Sequence, residues 1–224
     1  MNAEGLLDYG LPLFEGVTTA DLEDIDILAH EQKLGAWQTV FDQQDESFDL
    51  YFLLEGALLA VFWTPEGREI VFSRFPIGTY FGELAALDGT PRSLAVFAKT
   101  DARILSLKRQ SLLDIFDKVP LVRNRMVQHL VGQIRTLTLR SMEMTTMSVE
   151  QRVGSYLLRL AAEQGKLENG AIIEGAPTHS EIAGSIGANR EMVSRSISKF
   201  VKRGAIKSSR QRIEILDPEI LSEN

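Results

Sequence analysis

The sequence predicts an α+β chain in three parts: an N-terminal β-roll, one long helix and a C-terminal winged helix-turn-helix. Three observations predict it. Between residues 31 and 107, short apolar or alternating runs are separated by turn signals at residues 45–47, 55–56, 65–67, 76–78 and 88–89. That is the pattern of short strands in a small antiparallel barrel or roll. From residue 118 to 146 the apolar spacing changes to alternating threes and fours, which is a heptad seam. Beyond residue 177 a capping box, a glycine, a second helix and a hairpin follow one another in a segment rich in Lys and Arg.

Taken in order, a short helix or turn is expected near residues 6–14, and a helical segment at 19–29 with Thr19 as its cap. Strands are expected over residues 37–41, 50–54, 57–63, 69–75, 94–98 and 103–107. Within the roll lies FGELAALDGTPRSLAV, residues 81–96. Its Gly82-Glu83 pair opens a short helix, and its Arg92-Ser93 pair opens the following strand. The long helix has Pro120 in its first turn, where a missing N–H costs little. Its seam is Val127, Leu130, Ile134, Leu137, Ser141 and Met144, with Ser141 the only polar member. A helix at 149–164 and a polar loop at 165–175 come next.

Thr178 and Glu181 then form a capping box, in which each side chain can reach the other's backbone N–H. The first helix, 181–186, carries small Ala183 where two helices cross, and Gly187 permits the tight turn. Asn189 caps a second helix that runs to about Arg203 and stops at Gly204. Residues 206–215 read as a hairpin with Ser208-Ser209 near its tip.

Composition bounds the function. The chain has 224 residues, enough for one large or two modest domains, and 44% of them are hydrophobic, as in ordinary folded proteins. No run approaches the ~18 apolar residues of a membrane span. The N-terminus is acidic, without a basic-then-apolar leader, so a cytoplasmic protein with no membrane partner is expected. There is no cysteine, which excludes disulfides, thiolate-bound zinc, cysteine-ligated iron–sulfur clusters and cysteine nucleophiles. His30, His129 and His179 are far apart and read as surface or packing residues rather than metal ligands. No catalytic constellation is visible, and no enzyme is expected. The net charge of −7 hides an asymmetry. Residues 177–212 hold eight Lys/Arg against Glu181 and Glu191, a local charge of +6, so the remainder carries −13. Locally the chain is suited to nucleic acid.

The chemistry of both segments is specific. The backbone N–H groups around Gly82, Glu83 and Leu84 suit an anion. The Arg92 guanidinium can grip a phosphate with two parallel hydrogen bonds, and Glu83 can accept from a sugar hydroxyl. Together they fit a small cyclic phosphodiester: one negative charge, one ribose hydroxyl and one flat base. In the second segment, Arg190, Glu191, Ser194 and Arg195 lie on or near the face a recognition helix offers to the major groove. Arg190 and Arg195 can bond guanine O6 and N7, and Glu191 can accept from cytosine N4. Thr178, His179, Lys199 and Lys202 suit phosphates, which position but do not specify.

Gly82, Glu83, Leu84 and Ala85, followed by Gly89, Thr90, Pro91, Arg92 and Ser93, resemble the phosphate-binding cassette of cyclic-nucleotide-binding domains. Residues 178–195 resemble the DNA-reading motif of the cyclic-AMP receptor (catabolite activator) family. Roll with cassette, long helix and winged helix-turn-helix come in the order of the CRP/FNR superfamily, and the resemblance covers nearly the whole chain. It implies an effector domain at 1–117, the dimerisation helix of a parallel homodimer at 118–146, and a DNA-binding domain at 147–224.

The resemblance also assigns roles. Gly82, Glu83, Leu84, Arg92 and Ser93 would hold the nucleotide, with its base facing the long helix. The family's adenine-contacting Thr-Ser pair falls on Leu137-Thr138, which leaves Thr138 as one hydroxyl. Cyclic AMP is the expected allosteric effector, with cyclic GMP close behind, and no cofactor is required. Thr178, His179, Asn189, Arg190, Glu191, Ser194, Arg195 and Lys199 would meet double-stranded DNA at palindromic TGTGA-like half-sites. RNA polymerase would be a further partner. Family members often carry glycine in the turn near Gln44, which is therefore expected to be shaped differently here. Two alternatives stay open: a regulator of the same fold that senses haem, nitric oxide or another small molecule, and a cyclic-nucleotide-responsive regulatory subunit of an enzyme.

Overall fold

The computed structural model describes residues 1–65, 69–165 and 170–222, with the backbone alone at residues 69 and 71–74. The chain divides into two compact units, Met1–Gln133 and Ile134–Asn224.

The first unit opens with α1 (Ala3–Leu7) and two single 3-10 turns. Strands β1 (Ala29–Leu34), β2 (Thr39–Phe41), β3 (Leu50–Glu55), β4 (Leu58–Trp63), β5 (Glu69–Arg74) and β6 (Tyr80–Phe81) follow. Then come α2 (Glu83–Asp88), β7 (Ala95–Ala98), β8 (Ala102–Leu107), α3 (Arg109–Lys118) and α4 (Pro120–Thr146). The strands form two antiparallel sheets, ordered β1-β8-β3-β6 and β2-β7-β4-β5.

Strand β3 shows why the roll closes. Its side chains alternate between two cores. Leu50 and Phe52 pack with Leu6, Phe14, Ile115 and Val122 under the helices, while Tyr51 and Leu53 pack with Phe41, Val96 and Ile104 between the sheets. Strand β8 does the same with Leu105 and Leu107 on one face and Ile104 on the other. A strand buried on both faces reads as a continuous apolar run, as β3 does, whereas β8 carries Arg103 and Ser106 within its apolar residues.

Three expectations in this unit need correction. Residues 19–29 are not a helix: only Ala20–Leu22 forms a 3-10 turn, and Ala29 already opens β1. The turn is fastened by Thr18, whose N–H and hydroxyl both donate to Asp21 (2.8 and 2.7 Å), rather than by Thr19. Asp24 then takes a φ of +62°, which an α-helix cannot continue through. Secondly, the long helix starts at Pro120; Lys118 closes α3, a helix the sequence reading did not anticipate. Thirdly, the mostly polar edge strand β1 and the two-residue β6 were not anticipated either. The turn near Gln44 keeps a left-handed residue without glycine, with Gln44 itself at φ +73°. The turn expected at 65–67 and the polar loop 165–175 fall partly on residues 66–68 and 166–169, outside the described residues.

The second unit holds the C-terminal part of α4, α5 (Val149–Glu163), β9 (Ala171–Glu174), α6 (His179–Ile186), α7 (Arg190–Lys202), β10 (Ile206–Ser209), β11 (Arg212–Ile215) and α8 (Pro218–Ser222). The expected hairpin is β10–β11, and β9 joins it as a third antiparallel strand where a loop was expected. Val153, Leu157, Ile182, Ile186, Val193, Ile197, Phe200 and Ile213 form the core. Buried Arg152 donates to the carbonyls of Met147 (3.0 Å), Met144 and Gly187 (both 3.4 Å), where α4 and α6 end. Cations at helix C-termini are favoured by the unpaired carbonyls there.

Candidate functional site

The cassette is built on two unusual backbone positions. Gly82 caps α2 at φ +78°, a left-handed conformation that costs residues with a Cβ about 1–2 kcal/mol. A Cβ there would also lie 2.6 Å from Arg92 Nη1. Gly82 is thus required both by the turn and by the arginine packed against it. The second position is Gly89, which closes α2 at φ +69°. Near that end Arg109 donates to the carbonyls of Ala86 (2.8 Å) and Leu87 (3.4 Å), satisfying acceptors a short helix leaves open.

Arg92 is only 2% exposed. Its Nη1 donates to the Gly82 carbonyl and its Nη2 to the Asp49 carbonyl, each at 2.7 Å, and its Nε donates to Ser47 Oγ at 3.1 Å. The guanidinium carbon sits 4.3 Å from the Phe41 ring centroid and 5.4 Å from that of Tyr51. Its backbone is fixed as well: Arg92 N–H donates to Asp45 O (3.0 Å) and Arg92 O accepts from Gln44 N–H (2.8 Å). Among the described residues no carboxylate forms an ion pair with it; that of Asp49 pairs instead with Lys108 at 2.9 Å. A buried cation held by neutral acceptors is costly unless a counter-ion joins it. A guanidinium has five N–H donors, more than its bonds to Ser47, Gly82 and Asp49 engage. Burial pulls the group below the ordinary arginine value, and an added anion would reverse that.

Glu83 occupies the first turn of α2. Burial pushes its carboxyl above the usual range, while its own backbone N–H, His129 and Arg92 pull the other way. Leu84 and Ser93 are exposed. Gly82, Glu83 and Arg92 are therefore gathered at one place. Thr138 belongs to the second unit, where its hydroxyl donates to the Ile134 carbonyl at 2.9 Å. The sequence reading missed Ser47, Asp49, Phe41, Tyr51 and Arg109. Most act through carbonyls or ring faces, which leave no motif.

The second candidate surface is α6–α7. Both halves of the Thr178–Glu181 capping box form. Gly187 ends α6 at φ +64°, and a Cβ there would meet Met144 at 2.7 Å. Asn189 Oδ1 accepts from Met192 N–H at 2.8 Å and starts α7. Val193, Ser196, Ile197 and Phe200 are buried, which turns Glu191, Arg195 and part of Ser194 outward, while Arg190 is exposed as the first residue of α7. Thr178 is exposed and His179 half-buried. Exposed Lys199 pairs with Glu150 of α5 at 2.6 Å. Among the described residues no cluster of His, Asp or Glu could hold a metal ion. No described helix is long and apolar enough to cross a membrane.

Two family models match: the cyclic nucleotide-binding domain over residues 31–119, and the Crp-like helix-turn-helix domain over residues 151–223. A CRP-like cAMP-activated global transcriptional regulator of Mycobacterium tuberculosis is 26% identical over 211 residues, covering 94% of each chain. A solved CRP-family transcriptional regulator of Thermus thermophilus is 25% identical with a TM-score of 0.62, over 85% of this chain and 94% of that one. The c-di-GMP responsive regulator CLP of Xanthomonas campestris shares the fold at 18% identity and a TM-score of 0.69, over 84% and 93%. With the cassette in its roll and the exposed helix in its C-terminal unit, the chain carries a cyclic nucleotide-binding domain followed by a Crp-like helix-turn-helix domain, and is similar along its length to CRP-type DNA-binding transcription regulators.

Proposed function

We propose that cyclic AMP is the effector and that its binding controls recognition of palindromic TGTGA-like DNA by a cytoplasmic homodimer. The observation that carries the effector is Arg92, a buried guanidinium with hydrogen-bond capacity left and no carboxylate in ion-pair contact among the described residues. A cyclic phosphate supplies that charge, and the cassette amides of Gly82, Glu83 and Leu84 with the Ser93 hydroxyl complete its binding. Glu83 accepts from the ribose 2′-hydroxyl. Arg190, Glu191, Ser194 and Arg195 read base edges, with Asn189 beside them at the helix cap. Thr178, His179, Lys199 and Lys202 hold phosphates.

A heptad seam supports the homodimer: Val127, Ile134, Leu137 and Met144 are exposed on α4. Two recognition helices spaced to match half-sites about 34–36 Å apart then read a palindrome. RNA polymerase is the partner such a regulator would address. Replacing Leu130 and Leu137 with Asp should give monomers by sedimentation; an intact dimer would remove the seam from the interface.

Calorimetric titration with cyclic AMP and, separately, cyclic GMP tests the effector. Tight binding of cyclic AMP that is lost in Arg92→Ala supports the reading. Binding of cyclic GMP alone changes the base, and binding of neither overturns the nucleotide assignment.

A further inference from the structure

Residues 177–212 carry a local charge of +6 by sequence count, yet carboxylates from outside that segment reach back into it. Glu150 of α5 meets Lys199 at 2.6 Å and lies 3.9 Å from Arg203. Glu214 lies 3.7 Å from Lys207, and Glu174 lies 3.4 Å from Arg212. The other cations of the segment, Arg190, Arg195, Lys202 and Arg210, make no ion pair among the described residues. Of the three carboxylates, Glu150 is the one that holds α7 itself and its C-cap residue.

The pair has a definite place on the helix. α7 buries Val193, Ser196, Ile197 and Phe200. At about 100° per residue, Arg195 and Lys202 fall opposite that stripe. Lys199 and Arg203, four residues apart, share the flank that meets Glu150. Glu150 sits in the first turn of α5, where unpaired N–H groups favour a carboxylate. It is half-buried, whereas Lys199 is exposed on a flexible four-carbon stem. The ammonium can therefore swing from this carboxylate to another anion nearby.

We propose that Glu150 is an internal competitor for DNA phosphate. Its carboxylate holds Lys199 in the free protein, and a duplex must displace it before Lys199 can hold the backbone. The inference rests on the reading of Lys199 as a phosphate contact. The exchange gives one ion pair for another and leaves the charge of Glu150 close to a polyanion. Lys199 therefore adds little to affinity while Glu150 is present.

The effect falls on grip rather than on reading. Phosphate contacts position a protein without carrying sequence. They supply essentially all of non-specific affinity, through the counter-ions they release. Arg190 and Arg195, the base readers of the proposed function, have no carboxylate to leave among the described residues. Glu150 thus holds down binding to every sequence and leaves the base contacts untouched. Removing its charge frees Lys199 for one more phosphate, which steepens the salt dependence by about 0.9 in log–log slope.

The test is fluorescence anisotropy with the full chain and saturating cyclic AMP, over about 50 to 200 mM salt. One labelled duplex is palindromic and the other has an unrelated sequence. Glu150→Gln should bind both about three- to tenfold more tightly at the lowest salt, with a slope steeper by about 0.9. Glu163→Gln removes the same charge at the far end of α5, roughly 20 Å along the helix, and should stay within about twofold of the native protein. Adding Lys199→Gln to Glu150→Gln should cancel the gain. Thermal melting near the native value shows that each variant is folded. Unchanged or weaker binding by Glu150→Gln, an equal gain in Glu163→Gln, a gain on the palindrome alone, or a gain that survives Lys199→Gln would overturn the competition and leave DNA binding standing. Binding of neither duplex by the native protein would overturn both.

Discussion

Arg92 and Arg190 are both arginines at sites read as binding acceptors, yet the fold treats them oppositely. Arg92 is buried, held by three hydrogen bonds and stacked near two aromatic rings. Arg190 is exposed at the first position of α7. A site for one small anion fixes its donors before the ligand arrives, so less freedom is lost on binding. A groove-reading helix fixes only its backbone, through Thr178, Gly187 and Asn189, and leaves its long side chains to settle on the bases. Substitutions in the first region should therefore disturb fold and ligand together. Those of Arg190 and the other outward side chains of α7 should change recognition and leave the fold intact.

Arg92→Ala is the most severe way to break this contrast. It should weaken cyclic AMP binding at least ~100-fold, the loss of a charge-assisted pair in a buried site. It should also lower stability by about 1–3 kcal/mol, because the carbonyls of Gly82 and Asp49 lose their donor. Calorimetry and thermal melting read the two effects, and unchanged affinity would refute the cassette. Gly82→Ala should cost about 1–2 kcal/mol in backbone strain. By displacing Arg92 it should also reduce affinity about tenfold or more; native affinity would mean that the 2.6 Å approach relaxes freely.

Arg190→Ala should leave melting and nucleotide binding unchanged, while costing about 1–3 kcal/mol at a cognate duplex and relaxing its guanine preference. Equal weakening on every sequence would make Arg190 a phosphate contact instead. Thr178→Ala should cost about 1 kcal/mol of stability by removing one half of the capping box. A larger loss of DNA affinity than of stability would separate a phosphate role from the capping role.

Elements that need special backbone were legible in the sequence. Gly82, Gly187, Pro120 and the Thr178–Glu181 box each mark a conformation or a cap that few other residues supply. A continuous apolar run revealed β3, and a mostly apolar one revealed β8, both buried on two faces. What stayed hidden is held by non-local or generic groups. Arg92 is fixed by carbonyls and a serine at residues 47–82, and His129 meets Tyr80 across 49 positions. Polar β1 carries too little alternation to read as a strand. Residues 19–29 carried helical spacing, but the Thr18–Asp21 turn and Asp24 divert the chain after one turn.

The most direct test of effector-controlled DNA reading is fluorescence anisotropy of a labelled palindromic duplex, titrated with the protein at fixed salt, with and without saturating cyclic AMP. Affinity should rise about 5- to 150-fold with the nucleotide, the range of an ordinary coupling of about 1–3 kcal/mol. Arg92→Ala should bind as the native protein does without nucleotide. Equal affinity in both conditions would contradict control of DNA binding by the cassette.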